Sequence, residues 1–188
     1  MALRPGPFIG VRSSFFCRLR QPPARCKPLC WLVASHPEPL VSPSPSAIPS
    51  GFLPLPSGSG FIEVNGPLYL RQQGDQVRLG LRVEPRHVNP MGNLHGGMMA
   101  SFCDMLIPLT VHRTSEHPGQ RFLPTISLQI DYLAPAPLGC WIEGRAELLR
   151  ATRTLVFAQG LVTADGVPCA RASGVFKIGP ELPAGFRA

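Results

Sequence analysis

Along residues 98–107 the chain is apolar at almost every position, and the spacing is helical. Met98, Phe102, Met105 and Leu109 follow one face, with Met99, Cys103, Leu106 and Ile107 filling the adjoining positions. A helix apolar on nearly every side is expected to be buried on nearly every side. In a chain of 188 residues the simplest cover is a sheet wrapped about it. Pro108 interrupts the pattern and predicts a kink, or a stop near Ile107 and a fresh start.

Elsewhere the period changes to two. Residues 77–83 are apolar at odd positions and Arg or Gly at even ones, a strand with one buried face. Residues 123–133 alternate Thr125, Ser127, Gln129 and Asp131 against Ile126, Leu128, Ile130 and Tyr132. Strand patterns recur at 140–149, 154–163 and 167–178, separated by Ala151-Thr152-Arg153 and by Asp165-Gly166, a strong hairpin signal. A short first strand is expected within residues 66–73. The predicted order is two strands, one buried helix and four strands joined by tight turns. This is an α+β domain with an antiparallel sheet curled around a central helix.

Residues 1–60 differ in kind. They hold twelve of the 23 prolines, with Ser-Pro repeats and a Pro/Ser/Gly stretch, and are expected to be disordered. The domain is then expected at 61–179, with a tail at 180–188. Arg4, Arg12, Arg18, Arg20 and Arg25, with no acid before Glu38, look like a mitochondrial transit peptide, although the prolines among them spoil an amphipathic helix. An upstream start in a GC-rich bacterial gene explains the segment as well, since the chain has sixteen Arg and two Lys. A cytoplasmic bacterial protein is the expectation and a mitochondrial one the alternative.

Charge changes the picture little. The formal net charge is +7, but residues 1–60 hold six Lys/Arg and one acid, which leaves twelve bases and ten acids for the rest. A nucleic-acid binder would be expected to carry a basic stripe on the domain itself, so no nucleic-acid partner is expected. No run of 18 apolar residues occurs, so no membrane span is expected. Of the six cysteines, Cys103, Cys140 and Cys169 fall in the buried helix or in strands and read as small apolar residues of a reducing compartment. Cys26 and Cys30 have no second Cys/His pair at ligand spacing, so no metal site is expected.

The unusual chemistry lies in residues 89–107. Turn signals at Asn89-Pro90 and Gly92-Asn93 lead to His95-Gly96-Gly97 at the start of the apolar helix. There the first backbone N–H groups lack intrahelical partners and the helix dipole is positive. Glycines let a ligand approach the bare backbone, which suits a developing oxyanion. Asp104 is a lone acid among Phe102, Cys103, Met105 and Leu106. It is either a structural acid with a hidden donor or a functional one.

Asn89-x-x-Gly92-x-x-His95-Gly96-Gly97 followed by Asp104 resembles the signature of the hotdog-fold acyl-CoA thioesterases, in particular the PaaI-like (phenylacetate pathway) branch. Asp131-Tyr132-Leu133-Ala134-Pro135-Ala136 is similar to that family's strand-ending motif, and the resemblance extends over residues 61–178. It implies a hotdog fold, an acyl-CoA substrate, and no metal or bound cofactor. The Gly96 N–H would polarise the thioester carbonyl with Asn89 helping to position it, and Asp104 would activate water or attack directly. Thr125 would orient the water or the acid, His95 would brace the loop, and His95, Gly97, Met98 and Phe102 would bind the substrate, the last two against the acyl group. The resemblance also implies a homodimer or homotetramer.

The spacing agrees with a dimer. Gly96 and Asp104 are eight residues apart, roughly 12 Å along a helix, so one chain cannot bring both to one small carbonyl, whereas a twofold pair can. The alternatives are a hotdog enoyl-CoA hydratase or dehydratase, a non-catalytic acyl-CoA-binding protein, and an interaction protein that recruits a partner through proline-rich residues 42–56.

Overall fold

The tight turns near residues 74–75, 152–154 and 165–166 each join segments that pair, whereas 125–132 and 141–151, expected to be joined in the same way, do not pair with each other. The computed structural model describes residues 48–56 and 60–182, so the expectations for residues 1–47 and for the end of the tail lie outside the described residues. Its strands are β1 (Leu53–Pro54), β2 (Tyr69–Gln73), β3 (Gln76–Arg82), β4 (Thr125–Tyr132), β5 (Trp141–Ala151), β6 (Leu155–Ala164) and β7 (Val167–Lys177). They form one antiparallel sheet in the order β1-β2-β3-β5-β6-β7-β4. A short helix α1 (Phe61–Asn65) precedes β2, and the long helix α2 (Gly96–Thr114) connects β3 to β4 at the far edge. The Asp165-Gly166 turn adopts positive φ at both residues, as a two-residue hairpin with the sheet's twist requires.

The sheet curls around α2 because its inner face is small where the helix is large. Phe102, Leu106 and Ile107 are fully buried, each contributing about 2 kcal/mol by area. Phe102 and Leu106 face Gly144 on β5, Leu106 also faces Gly160 on β6, and Ile107 faces Gly174 on β7, neighbouring strands of the wall. A Cβ on Gly144 would stand 2.6 Å from Leu106 and 2.8 Å from Phe102. The glycine is therefore what lets the strand approach the helix.

Two expectations need correction. First, α2 is not buried all round: Gly97 is exposed, and Ala100, Ser101, Asp104, Met105 and Pro108 are only half-buried. Gly97, Ser101, Asp104 and Pro108 recur at helical spacing, so they make one open stripe along the helix. The curled sheet covers the rest of the circumference and stops short of this stripe. Second, α2 neither stops at Ile107 nor restarts; it runs unbroken through Pro108 to Thr114. Proline there deprives the Asp104 carbonyl of its usual intrahelical donor, on the open side. Thr110 Oγ1 donates to Leu106 O and Thr114 Oγ1 to Thr110 O, which ties the last turns of the helix. His112 is half-buried, with Nε2 2.8 Å from Arg121 O.

The boundary expected at residue 61 is crossed as well. Leu53 and Pro54 pair with Leu70 and Tyr69, and Phe52 is buried with its ring 5.0 Å from that of Trp141 in an edge-on arrangement. The Arg71 guanidinium lies over the Phe52 ring, 4.7 Å from its centroid. One aromatic residue in a proline-rich stretch thus carries the sheet two residues further than composition indicates. Phe52→Ala is expected to lower unfolding free energy by about 3 kcal/mol in urea titration; an unchanged midpoint would show that this segment is no part of the domain.

Candidate active site

The loop ahead of α2 is held by its own polar groups. Asn89 Oδ1 accepts from Met91 N at 2.9 Å and from Asn93 N at 3.3 Å, and Asn89 N donates to Asn93 O at 2.8 Å. Gly92, with φ 74, closes the turn. The loop is then sewn to residues 133–139: Leu94 N donates to Ala136 O at 2.7 Å and Leu138 N to Gly92 O at 2.9 Å. The two motifs that carry the family resemblance are therefore one structure, the loop of the first resting on the backbone of the second.

Behind the loop lies His87, which sequence reasoning did not single out. It is buried, its Nδ1 accepts from Glu84 N at 3.0 Å, and its carbonyl accepts from His95 N at 2.8 Å. Burial lowers its pKa, against the opposing pull of Glu84, and keeps the imidazole neutral.

Helix α2 begins at Gly96 with His95 as its N-cap. His95 Nδ1 accepts from Gly97 N at 2.9 Å, and the His95 carbonyl accepts from Met98 N and Met99 N at 2.9 and 3.0 Å. Of the first N–H groups of the helix, Gly96's is the one for which no acceptor is found among the described residues. It lies beside a cleft of about 440 Å³ lined by Asn89, Asn93, Leu94, Gly96, Met99, Tyr132, residues 133–136 and Cys169. Such a bare N–H at the positive end of a helix is suited to an oxyanion.

Asp104 stands two turns further on, on the open stripe. Thr125 Oγ1 donates to its Oδ1 at 2.6 Å, so the hidden donor is found and Oδ2 is left for another partner. Strict alternation would turn Thr125 away from the face that carries Tyr132, seven residues along the same strand. A bulge between Thr125 and Ser127 reverses the alternation, and both side chains reach α2. Tyr132 Oη donates to Gly96 O at 2.9 Å. Sequence reading placed Tyr132 on an apolar strand face and did not foresee this bond.

The structure gathers the predicted residues in two groups. Asn89 and Gly96 line the cleft, while His95 and Gly97, bonded to each other beside Gly96, do not; Asp104 and Thr125 meet on the stripe, outside the cleft lining. Met98 and Phe102 do not line the cleft. Phe102 is 1% exposed against Gly144, and Met98 is buried too, while Leu94 and Met99 take the places expected for them. The helical period identified an apolar face but not which of its residues had the sheet as neighbour. Asn89 lines the cleft, with its side-chain oxygen accepting within the loop.

The thiols are poor nucleophiles here. Burial pushes Cys103 up to about 12 and raises Cys169, which borders the cleft, so both stay protonated. Asp104 is the half-open acid that remains.

The thioesterase superfamily matches the chain over residues 91–170, from the loop tip through α2 and β4 into β7. A candidate esterase of Pseudomonas aeruginosa is 28% identical over 132 residues, covering 70% of this chain and 97% of that protein. Acyl-coenzyme A thioesterase 13 of Mus musculus is 34% identical over 79 residues, 42% of this chain and 54% of that protein, so the match spans about half of that relative. The crystal structure of zebra fish thioesterase superfamily member 2 aligns with a TM-score of 0.59 at 27% identity, covering 65% of this chain and 89% of that one. With the curled sheet, the capped glycine pair and the acid all inside or beside the matched span, the chain is similar to the thioesterase superfamily there and has a hotdog fold.

Proposed function

We propose that this protein is an acyl-CoA thioesterase of the PaaI-like kind, acting as a homodimer or a pair of such dimers. The observation that carries the reading is the division of the site. The unpartnered Gly96 N–H faces the cleft, and the Asp104–Thr125 pair lies on the open stripe eight residues further along the same helix. At about 12 Å along the axis, one chain's donor and acid cannot flank one carbonyl. Antiparallel apposition of two open stripes would set Gly96 of one chain against Asp104 of its partner, twice over. The exposed apolar side chains of the neighbouring edge, Ile126 at 58% and Leu133 at 55%, support coverage by a second copy.

In this reading the thioester oxygen accepts from the Gly96 N–H as negative charge grows on it. Asp104 from the partner either takes a proton from water, whose hydroxyl attacks the carbonyl carbon, or attacks that carbon itself. The tetrahedral adduct collapses with cleavage of the C–S bond, and the thiolate of CoA recovers the proton. In the direct route the thiolate leaves unprotonated, water then hydrolyses the acyl-aspartyl anhydride to regenerate the Asp104 carboxylate, and a proton from that water goes to the thiolate. The Thr125 hydroxyl holds one carboxylate oxygen and leaves the other aimed at the substrate. The match to a relative named for acyl-coenzyme A supports CoA as the leaving group. Leu94, Met99 and Ala136 give the cleft the apolar lining an acyl group or the pantetheine arm would want. A hydratase pairing of His95 with Asp104 finds no support within one chain, because His95 is bonded to Gly97 and Asp104 to Thr125.

Asp104→Asn keeps the volume and removes the charge. It is expected to lower kcat by at least about 100-fold in a free-thiol assay on an acyl-CoA panel, with little change in melting temperature. Retained turnover would reject the mechanism.

Mixing tests the division of the site. Gly96→Pro deletes one N–H at the first helical position, where proline is tolerated, and His95 at φ −64 and ψ 136 already has the conformation that a residue before proline takes. Each homodimer, Asp104→Asn or Gly96→Pro, is expected to be nearly inactive. A statistical mixture is half heterodimer, and each heterodimer holds one intact site, so about a quarter of wild-type activity should return. Heterodimers verified by mass that recover nothing would place both groups in one chain.

A further inference from the structure

The glycine pair that opens the backbone to a ligand is also its weakest support. Gly96 and Gly97 lack Cβ atoms, and a flexible N–H stabilises developing charge poorly, because its reorientation takes back what the bond supplies. In this chain three side chains restrain the pair. His95 Nδ1 holds the Gly97 N–H at 2.9 Å, Ser101 Oγ donates to Gly97 O at 2.9 Å, and Tyr132 Oη donates to Gly96 O at 2.9 Å. The first two belong to α2 and its cap and move with it. Tyr132 alone among these three ties the pair to the sheet. Its ring also stands 3.5 to 3.6 Å from where a Gly96 Cβ would be, so it closes the side of the glycine away from the helix axis.

Tyr132 sits at one end of β4, and Thr125, which holds Asp104, sits at the other. The bulge between Thr125 and Ser127 brings both onto the helix. One strand thus grips the donor half and the acid half of α2 at once.

We infer that Tyr132 is a positioning residue for the oxyanion donor: its hydroxyl fixes the peptide that follows Gly96, so that the Gly96 N–H stays aimed into the cleft. The inference rests on the thioesterase reading for its catalytic consequence, though not for its structural one. No group of Tyr132 needs to touch the reacting atoms.

Tyr132→Phe removes the hydroxyl and keeps the ring that borders the cleft. Relaxation of the backbone ¹⁵N nuclei is read first, since it needs no substrate. In the wild type the Gly96 and Gly97 amides are expected to show order parameters of about 0.85, as in rigid backbone, and in the variant to fall toward 0.6. Unchanged order would overturn the inference whatever the activity. Kinetics are read second: kcat is expected to fall on the order of tenfold while KM for acyl-CoA stays within about twofold, since the lost restraint matters where charge develops. A change confined to KM would overturn the assignment, as would full activity.

Mixing then locates the defect. Combined with Asp104→Asn chains, Tyr132→Phe chains should restore about a quarter of wild-type activity, because the damaged tyrosine falls in the site that already lacks its acid. If Tyr132 served the Asp104 half instead, the mixture would reach only about a twentieth. Wild-type protein that hydrolyses no acyl-CoA would sink the thioesterase reading by itself, and the relaxation result would still decide on Tyr132.

Discussion

A helix surrounded by a sheet satisfies its backbone along its length and is left with loose donors only at its start. This constraint organises the molecule. Packing Phe102, Leu106 and Ile107 against a wall thinned by Gly144, Gly160 and Gly174 fixes α2 in depth and rotation. The start of the helix must then open somewhere, and the loop from Asn89 to Leu94, braced on Ala136 and Leu138, determines that it opens into a cleft. The cap consumes the Gly97 N–H and leaves that of Gly96, just before it, bare. What reads as a chemical site is at bottom a helix terminus whose capping is deliberately incomplete.

The same constraint leaves the acid outside. A sheet can cover most of a helix but closes on itself only by adding strands, and β4 ends the row. The stripe through Gly97, Ser101, Asp104 and Pro108 is what remains uncovered. A carboxylate there keeps partial contact with water and one strong bond from Thr125. Burying it fully in one chain would have demanded more partners than the core supplies.

Much of this was legible in the sequence, and for identifiable reasons. The order of strands and helix followed from periods of 2 and 3.6, and the Asp165-Gly166 turn from its chemistry. The loop, the glycine pair and Asp104 stood out because each breaks the pattern around it. What stayed hidden depended on neighbours that periodicity does not name. Phe52 belongs to the core only because Trp141, far along the chain, offers it a ring. Met98 and Phe102 lie close to Met99 and Leu94 along the chain, yet the former are buried in the core and the latter line the cleft. A bulge is invisible to an alternation count, so Thr125 and Tyr132 were read on opposite faces although both meet α2. Buried His87 carried no motif at all.

The most direct test of a site divided between two copies of α2 is a crystal structure of the protein with a non-hydrolysable acyl-CoA ketone. The carbonyl oxygen is predicted to lie about 3 Å from Gly96 N of one chain. The Asp104 carboxylate on its other side should belong to the partner chain, within direct or one-water reach of the carbonyl carbon. A carbonyl turned away from Gly96 N–H, or one flanked by Gly96 and Asp104 of the same chain, would contradict it.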